Sequence, residues 1–367
     1  MKIKQEYIWL DGSQPQQLRS KTKIVTESLR PDNNVDNYLM WSFDGSSTLQ
    51  AKAGRGENTD CLLKPVFIVD DPFRGNPHKL VFCEVLNPDG SLHPSNNRRK
   101  LKNRIDQLNL TESLDKSDQP WFGWEQEYTL THKPMVPFGA GEGIPLGFTL
   151  EPHTGYLSNV PRPQGDYYCG VGADTVVGRI IVEEHMDMCM EIGLDISGIN
   201  AEVLLGQWEY QIGPVTALNG SDQLWVSRYI LQRVSEKHKV NVSLHPKPIK
   251  GDWNGTGCHV NFSSKEMREE GGLDIIQKTM VKLEQFQKEH IEVYGLYNDQ
   301  RLTGEHETSS INEFSWGYST RDTSIRIPAQ AIVEKRGYFE DRRPASNCDP
   351  YQVSLRVLNT VYYEENN

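Results

Sequence analysis

The segment Trp121-Phe122-Gly123-Trp124-Glu125-Gln126-Glu127-Tyr128-Thr129-Leu130 restricts this chain more than any other. Its aromatic and β-branched residues predict a strand, and residues two apart on a strand share a face. Glu125 and Glu127 therefore point the same way from a segment whose flanking residues are apolar, which predicts a largely buried strand. Two like charges there repel by roughly 3 kcal/mol or more at an effective dielectric near 20. Water, Arg, Lys or a divalent cation has to offset that repulsion. Taken alone, solvated glutamates on an exposed edge strand would satisfy the pattern equally well.

A second acidic pair favours the cation. Ala201-Glu202-Val203-Leu204-Leu205-Gly206-Gln207-Trp208-Glu209-Tyr210 predicts a hairpin turning at Leu205-Gly206, a register that sets Glu202 opposite Glu209. In Cys258-His259-Val260-Asn261-Phe262-Ser263 the alternation places His259, Asn261 and Ser263 on one polar face. The preceding Asn254-Gly255-Thr256-Gly257 lets backbone approach a ligand closely. A lone strand histidine is more often structural; the polar row and the glycine loop favour a ligand here. In Gly337-Tyr338-Phe339-Glu340-Asp341-Arg342-Arg343-Pro344, Tyr338, Glu340 and Arg342 share a face. Glu340 is there either an ion-pair partner or a metal ligand beside cations that receive phosphate oxygens. Oxygen donors with one imidazole suit Mg²⁺ or Mn²⁺ rather than structural zinc.

The chain has 367 residues, more than one core usually holds, so two domains are expected. A net charge of −11 argues against a nucleic-acid partner, and Asn97-Arg98-Arg99-Lys100 is too short and isolated to be a phosphate tract. Six cysteines without a C-x-x-C pair fit a reducing compartment. The N-terminal MKIKQEYIWLDG lacks the apolar stretch of a secretion signal, and no apolar run reaches membrane-spanning length. A soluble, cytoplasmic protein with no membrane partner is expected.

Glu6–Leu10, Thr22–Val25, Pro65–Val69 and Lys79–Cys83 read as strands of a small, mainly β domain over residues 1–95. Asn87 to Asn97 is the linker candidate, with a helix from about Arg98 and a second domain over 96–367. Helices are predicted over Asp174–Ile192 and Leu273–Tyr294, each followed by glycine. The Pro- and Gly-rich stretch 131–166 has no period and reads as an ordered surface excursion or an assembly contact. No G-x-x-x-x-G-K-[ST] occurs, which disfavours a Walker-type ATPase. Gly170 to Thr175 reads as a tight turn with Asp174 capping the next helix. His185 and Cys189 read as a partly buried helical face rather than a zinc pair. Arg301, Arg321 and Arg326, near small residues in an acidic chain, suit oxyanion and phosphoryl charge stabilisation.

Together these motifs resemble the glutamine synthetase family of the eukaryotic-like type. The resemblance runs through Phe43-Asp44-Gly45-Ser46-Ser47-Thr48, Asp71-Pro72-Phe73-Arg74, Trp121 to Leu130, Tyr167 to Asp174, Asn200 to Val203, Gln207-Trp208-Glu209, Gly251 to His259, Arg301 to Thr308 and Gly337 to Pro350. It implies an α+β fold: a small N-terminal β-grasp domain and a larger catalytic α/β domain whose antiparallel sheet forms the active-site barrel. It implies Glu127, Glu202 and Glu209 around one cation, and Glu125, His259 and Glu340 around another, Mg²⁺ or Mn²⁺. ATP would use Trp121, Asn261, Ser263, Arg326 and Tyr338. Glutamate would use Asn254, Gly255 and Arg301, with Arg321 near the transferred phosphoryl group. Asp44 of an adjacent subunit would help deprotonate ammonium, and Glu307 would close the site. A homo-oligomer of two stacked pentameric rings, a decamer with active sites between subunits, is further implied.

The chain departs from the family pattern in a 131–166 excursion longer than expected and in Asp166 where proline is common. Neither touches an expected ligand. The tyrosine-bearing adenylylation loop of the longer bacterial type is not evident. Two rival readings share the motifs: a γ-glutamyl ligase for another amine, and a catalytically silent relative. Asp44 in Asp-Gly-Ser-Ser speaks against the first, and the filled ligand positions against the second.

Overall fold

The computed structural model describes residues 1–26, 31–52, 54, 58–111, 119–132, 143–150, 157–159 and 161–363. Much of the 131–166 excursion lies outside the described residues. The chain divides into two compact units, one of residues 1–110 with 188–194 and one of 111–187 with 195–367. Among the described residues no helix is long and apolar enough to cross a membrane.

The first unit is built on β1 (Lys2–Leu10), β2 (Leu18–Thr26), β3 (Trp41–Asp44), β4 (Asp60–Asp70) and β5 (Lys79–Leu86), in the order β2-β1-β5-β4-β3. All four segments expected as strands are strands. β1 runs parallel to β5, and the other pairs are antiparallel. Tyr7, Trp9, Phe43, Leu63, Val81 and Val85 form one apolar cluster. A turn through Asn87–Ser91 leads to α1 (Asn97–Gln107), where Asn96 Oδ1 accepts from the Arg99 N–H at 3.0 Å as an N-cap.

The second unit centres on β6 (Trp121–His132). After the short pair β7 (Thr149–Leu150) and β8 (Leu157–Asn159) come α2 (Arg179–Glu191), whose residues 188–191 count with the first unit, then β9 (Ile196–Ala201) and β10 (Gln207–Val215). Then follow α3 (Ala217–His238), β11 (Val240–Ser243), β12 (Cys258–Ser263), α4 (Lys265–Arg268), α5 (Gly272–Gln285) and α6 (Gln287–Val293). β13 (Trp316–Tyr318), β14 (Ile325–Ile327), α7 (Ala329–Glu334), β15 (Phe339–Asp341) and α8 (Pro350–Val361) complete it. The main sheet has the order β13-β14-β15-β12-β6-β10-β9, with β11 also paired to β6. All of its pairings are antiparallel except β13 with β14. Trp124, Tyr128, Trp208, Tyr210, Phe262 and α3 residues such as Leu224 and Ile230 are buried.

Three local expectations need correction. Asp174 does not cap a helix: Gly172–Thr175 is a turn, and α2 starts only at Arg179, after Gly178 at φ +83. The helix expected over 273–294 is two, α5 and α6, meeting at Phe286. The hairpin closes two residues earlier than Leu205-Gly206 implies. Glu202 N donates to Gln207 O and Gln207 N to Leu204 O, so Glu209 faces Asn200 rather than Glu202. Leu204 and Leu205 are drawn into a cluster with Phe148, Tyr167 and Trp253, so apolar packing widens a loop that a two-residue turn would have closed.

Candidate active site

Alternation on β6 does what the sequence requires. Gln126 and Tyr128 are fully buried on one face, where Gln126 Oε1 accepts from Arg228 Nε at 2.8 Å and Nη2 at 2.6 Å. Glu125 and Glu127 take the other face, and the neighbouring strands add to it in register. β12 sets His259 beside Glu125, β10 sets Glu209 beside Glu127, and β15 sets Glu340 beside Asn261. The directly opposed acids are thus Glu127 and Glu209, on adjacent antiparallel strands. On β15 the next residue, Asp341, belongs to the opposite face and accepts from Arg343 Nη2 at 2.6 Å and Tyr294 Oη at 2.7 Å.

Two overlapping trios result. Glu125, His259 and Glu340 each place a potential ligand atom within 4.8 Å of the others, and so do Glu127, Glu209 and His259. His259 Nδ1 lies 3.4 Å from Glu125 Oε2 and 3.5 Å from Glu340 Oε1, and Nε2 lies 3.8 Å from Glu127 Oε1. Arg301 Nη2 approaches Nε2 at 3.1 Å, while Nδ1 is buried without a hydrogen-bond partner. A buried ring nitrogen unpartnered between two carboxylates fits the donor set of a divalent cation better than that of a hydrogen-bonded pair. Glu202 falls outside both trios, yet its carboxyl feels Glu127.

The electrostatics follow from burial. Desolvation, then the Glu127 carboxylate, pushes Glu202 up to about 8. Desolvation, then Glu125, Glu127 and Glu202, pushes Glu209 up to about 9. Desolvation, then the Arg342 cation, pushes His259 down to about 4, so its ring is neutral at pH 7. Glu340 is instead clasped by arginines: Oε2 accepts from Arg326 Nη1 at 2.8 Å and Oε1 from Arg342 Nη1 at 2.6 Å. Glu127 Oε2 accepts from two neutral donors, the Gly257 N–H at 2.6 Å and Gln207 Nε2 at 3.1 Å.

A cavity of about 350 Å³ adjoins the cluster, lined by Trp121, Gly123, Glu125, Asn261, Ser263 and Tyr338 among others. Glu125 and Asn261 belong to both places, and Asn261 Nδ2 donates to Glu125 Oε1 at 2.8 Å. The face of Trp121 carries the Arg268 guanidinium, 4.0 Å from the ring centroid, and Ser263 Oγ donates to Gly337 O. At Gly123 an added Cβ would lie 3.3 Å from Asn261 Cβ.

The glycine loop serves its neighbours first. A Cβ at Gly257 would stand 2.5 Å from Arg301 Nη2 and 2.8 Å from His259 Nε2, and one at Gly255 2.7 Å from Arg301 Cγ. Arg301 is buried, pushed down to about 10 by desolvation, and donates to Arg342 O at 2.9 Å. Arg321 lies 4.0 Å from Glu307 and over the ring of Tyr168 at 6.0 Å. Asp44 belongs to the N-terminal unit, where hydrogen bonds from Ser46 hold its carboxyl below the usual range.

Two residues that lie in the matching motifs, but to which the sequence assigns no role, stand close to this chemistry. Gln207 ties Glu127 to the glycine loop by also donating to Gly255 O at 3.0 Å. Tyr168 hydrogen-bonds with Arg321 and feels the charge of Glu202. Neither carries a local signal, because an amide or a phenol acquires such a role only through its neighbours. His185 is structural: it is fully buried, with Nε2 3.0 Å from Ser227 O, and Cys189 is buried and forms no disulfide.

A carboxylate-rich cluster with one imidazole, beside a cavity walled by an aromatic ring, has the donor set of a divalent-cation site next to a ligand pocket. A family profile described as glutamine synthetase, catalytic domain, matches residues 96–272. A glutamine synthetase of Streptomyces viridochromogenes is 48% identical over 98% of this chain and 97% of its own length. A chloroplastic glutamine synthetase of Chlamydomonas reinhardtii is 47% identical, over 97% of this chain and 90% of its own. A cytosolic isozyme of Arabidopsis thaliana is 46% identical, over 98% and 95%. The chain belongs to the glutamine synthetase family, whose members are ATP-dependent ligases.

Proposed function

We propose that this chain condenses ammonia with the γ-carboxylate of L-glutamate at the expense of ATP, through γ-glutamyl phosphate. The carrying observation is the pair of trios sharing His259, with Glu125 common to the cation cluster and the adjoining cavity. We assign Glu125, His259 and Glu340 to one Mg²⁺ or Mn²⁺, and Glu127, Glu202 and Glu209 to another. Bound there, the cations would supply Lewis-acid neutralisation of phosphate and carboxylate charge.

The chain's own groups supply the rest. Trp121, Asn261, Ser263 and Tyr338 receive the nucleotide in the cavity, with Arg326 at its phosphates. Arg301 and the Asn254-Gly255 loop hold glutamate. Arg321 and Arg326 offset charge as the γ-carboxylate attacks the terminal phosphorus and ADP leaves. Glu307 excludes water that would hydrolyse the acyl phosphate, and Asp44 of an adjacent subunit takes a proton from ammonium before ammonia attacks the acyl carbon and inorganic phosphate leaves. On the same reading residues 1–95 form a β-grasp domain and 96–367 the catalytic domain, its antiparallel sheet walling a barrel-shaped site. Two pentameric rings then make a decamer in the cytoplasm. Relatives named as cytosolic isozymes support that compartment, and a chloroplastic one competes with it.

The test is purified protein with ATP, glutamate and ammonium, with and without chelator. Glutamine and phosphate should form in equal amounts and stop on chelation. Phosphate release with a polyamine but not with ammonium would overturn the choice of nucleophile.

A further inference from the structure

Gln164, near the end of the Pro- and Gly-rich stretch, has its backbone at φ 54, a region that costs a non-glycine residue energy. Its carboxamide spends both amide hydrogens on other loops. Nε2 donates to Asn254 Oδ1 and, at 3.0 Å, to His306 Nδ1. His306 Nε2 in turn lies 3.4 Å from Asp252 Oδ1. Three segments are thereby joined by one side chain: residues 161–165, the glycine loop 251–257, and the loop 301–308 that bears Glu307. His306 and Glu307 are themselves consecutive left-handed residues, at φ 53 and 62, so Gln164 anchors a strained turn at its first residue.

The direction of these bonds sets the Asn254 amide. A primary amide offers an accepting oxygen at one end and two donor hydrogens at the other. With the oxygen taken by Gln164, the donor end faces away from it. That Nδ2 has no partner among the described residues, although Asn254 is only 8% exposed. An unspent N–H donor that still reaches solvent, on an otherwise buried residue beside the arginine-lined glycine loop, suits a carboxylate and repels an ammonium or amide N–H.

We propose that Gln164 is a positioning residue for substrate recognition, fixing Asn254 with its donor toward a carboxylate of the amino-acid substrate. The inference rests on the glutamate-binding reading above and gives the 131–166 excursion a task, since a residue near its end orients the substrate loop.

Two variants separate orientation from bracing. In Gln164→Glu the side chain accepts only, so the Asn254 amide turns over and presents its oxygen to the substrate carboxylate. The KM for glutamate should rise roughly tenfold or more, the scale of a hydrogen bond to a charged group lost. Gln164→Ala leaves Asn254 free to choose and should raise it only about threefold. The KM for ATP should stay put in both, and both should melt within a few degrees of wild type. Equal KM changes in the two variants that track their loss of Tm would reduce Gln164 to a brace. A wild-type KM for glutamate in Gln164→Glu would overturn the proposal outright. A wild-type protein that forms no glutamine sinks the functional reading itself, whereas an active wild type with an unaffected Gln164→Glu sinks only the role of Gln164.

Discussion

The two trios share His259 but balance their charge in opposite ways. Glu340 is buried between two guanidiniums, Arg326 and Arg342, so its side of the cluster is neutralised by residues that never leave. Glu127, Glu209 and Glu202 take hydrogen bonds from amides and backbone N–H groups and make no ion pair to lysine or arginine among the described residues, although the Arg301 cation acts on Glu127 from a distance. Desolvation first, and neighbouring carboxylates next, raise Glu209 to about 9 and Glu202 to about 8. The permanent cations make one side a fixed framework. The other is a site whose charge must be balanced from solution, by protons or by a divalent ion.

That contrast is open to attack, most sharply at Glu340. Glu340→Ala should abolish turnover, well beyond the ~10–100-fold that losing an outer-shell partner of a metal site costs. Because it strands two arginines, it should also destabilise the fold by about 3 kcal/mol or more. A denaturant melt that matches wild type would break the framework side of the comparison.

Glu209→Gln is the counterpart with the opposite sign. Removing an acid that the fold already struggles to ionise should raise the Tm of chelator-treated protein at pH 8. In the same variant Mn²⁺ affinity, by titration calorimetry, should fall roughly 10-fold or more. A variant less stable than wild type in chelator would show that Glu209 is compensated after all.

The smallest effect is the pH profile of the metal-free chain. Glu202 and Glu209 are raised on folding, so between their unfolded values near 4.3 and their folded values of about 8 and 9 the native state binds more protons. Stability contributed by these groups is therefore present below that window and lost as pH rises through it. His259 and His185 are depressed to about 4, so between there and an unfolded value near 6.5 they act the other way, adding stability as pH rises. The two trends oppose each other below about 6.5, and only the carboxyl loss remains above it. Thermal melts in chelator should show Tm falling from pH 6.5 to 9, and saturating Mg²⁺ or Mn²⁺ should flatten that fall. A Tm that climbs across this range without metal would contradict the raised carboxyls.

Strand alternation alone placed Glu125 with Glu127, and His259 with Asn261 and Ser263, because a two-residue period needs no knowledge of the partner strand. The same local logic located four N-terminal strands and a helix near Arg98, and it separated acids that face a site from apolar residues that face a core. It could not decide which acids meet. Glu209 faces Glu127 and Asn200, not Glu202, because Leu204 and Leu205 are recruited into an apolar cluster distant in sequence and the hairpin loop opens to let them in. Nor could it show that Arg342 and Arg326 clasp Glu340, or that Gln164 reaches Asn254 across 90 residues of chain. Charge type and strand face are properties of a segment. The balance of charge between segments is a property of packing, and only the tertiary structure, by setting which dipoles and cations share a low-dielectric space, determines it.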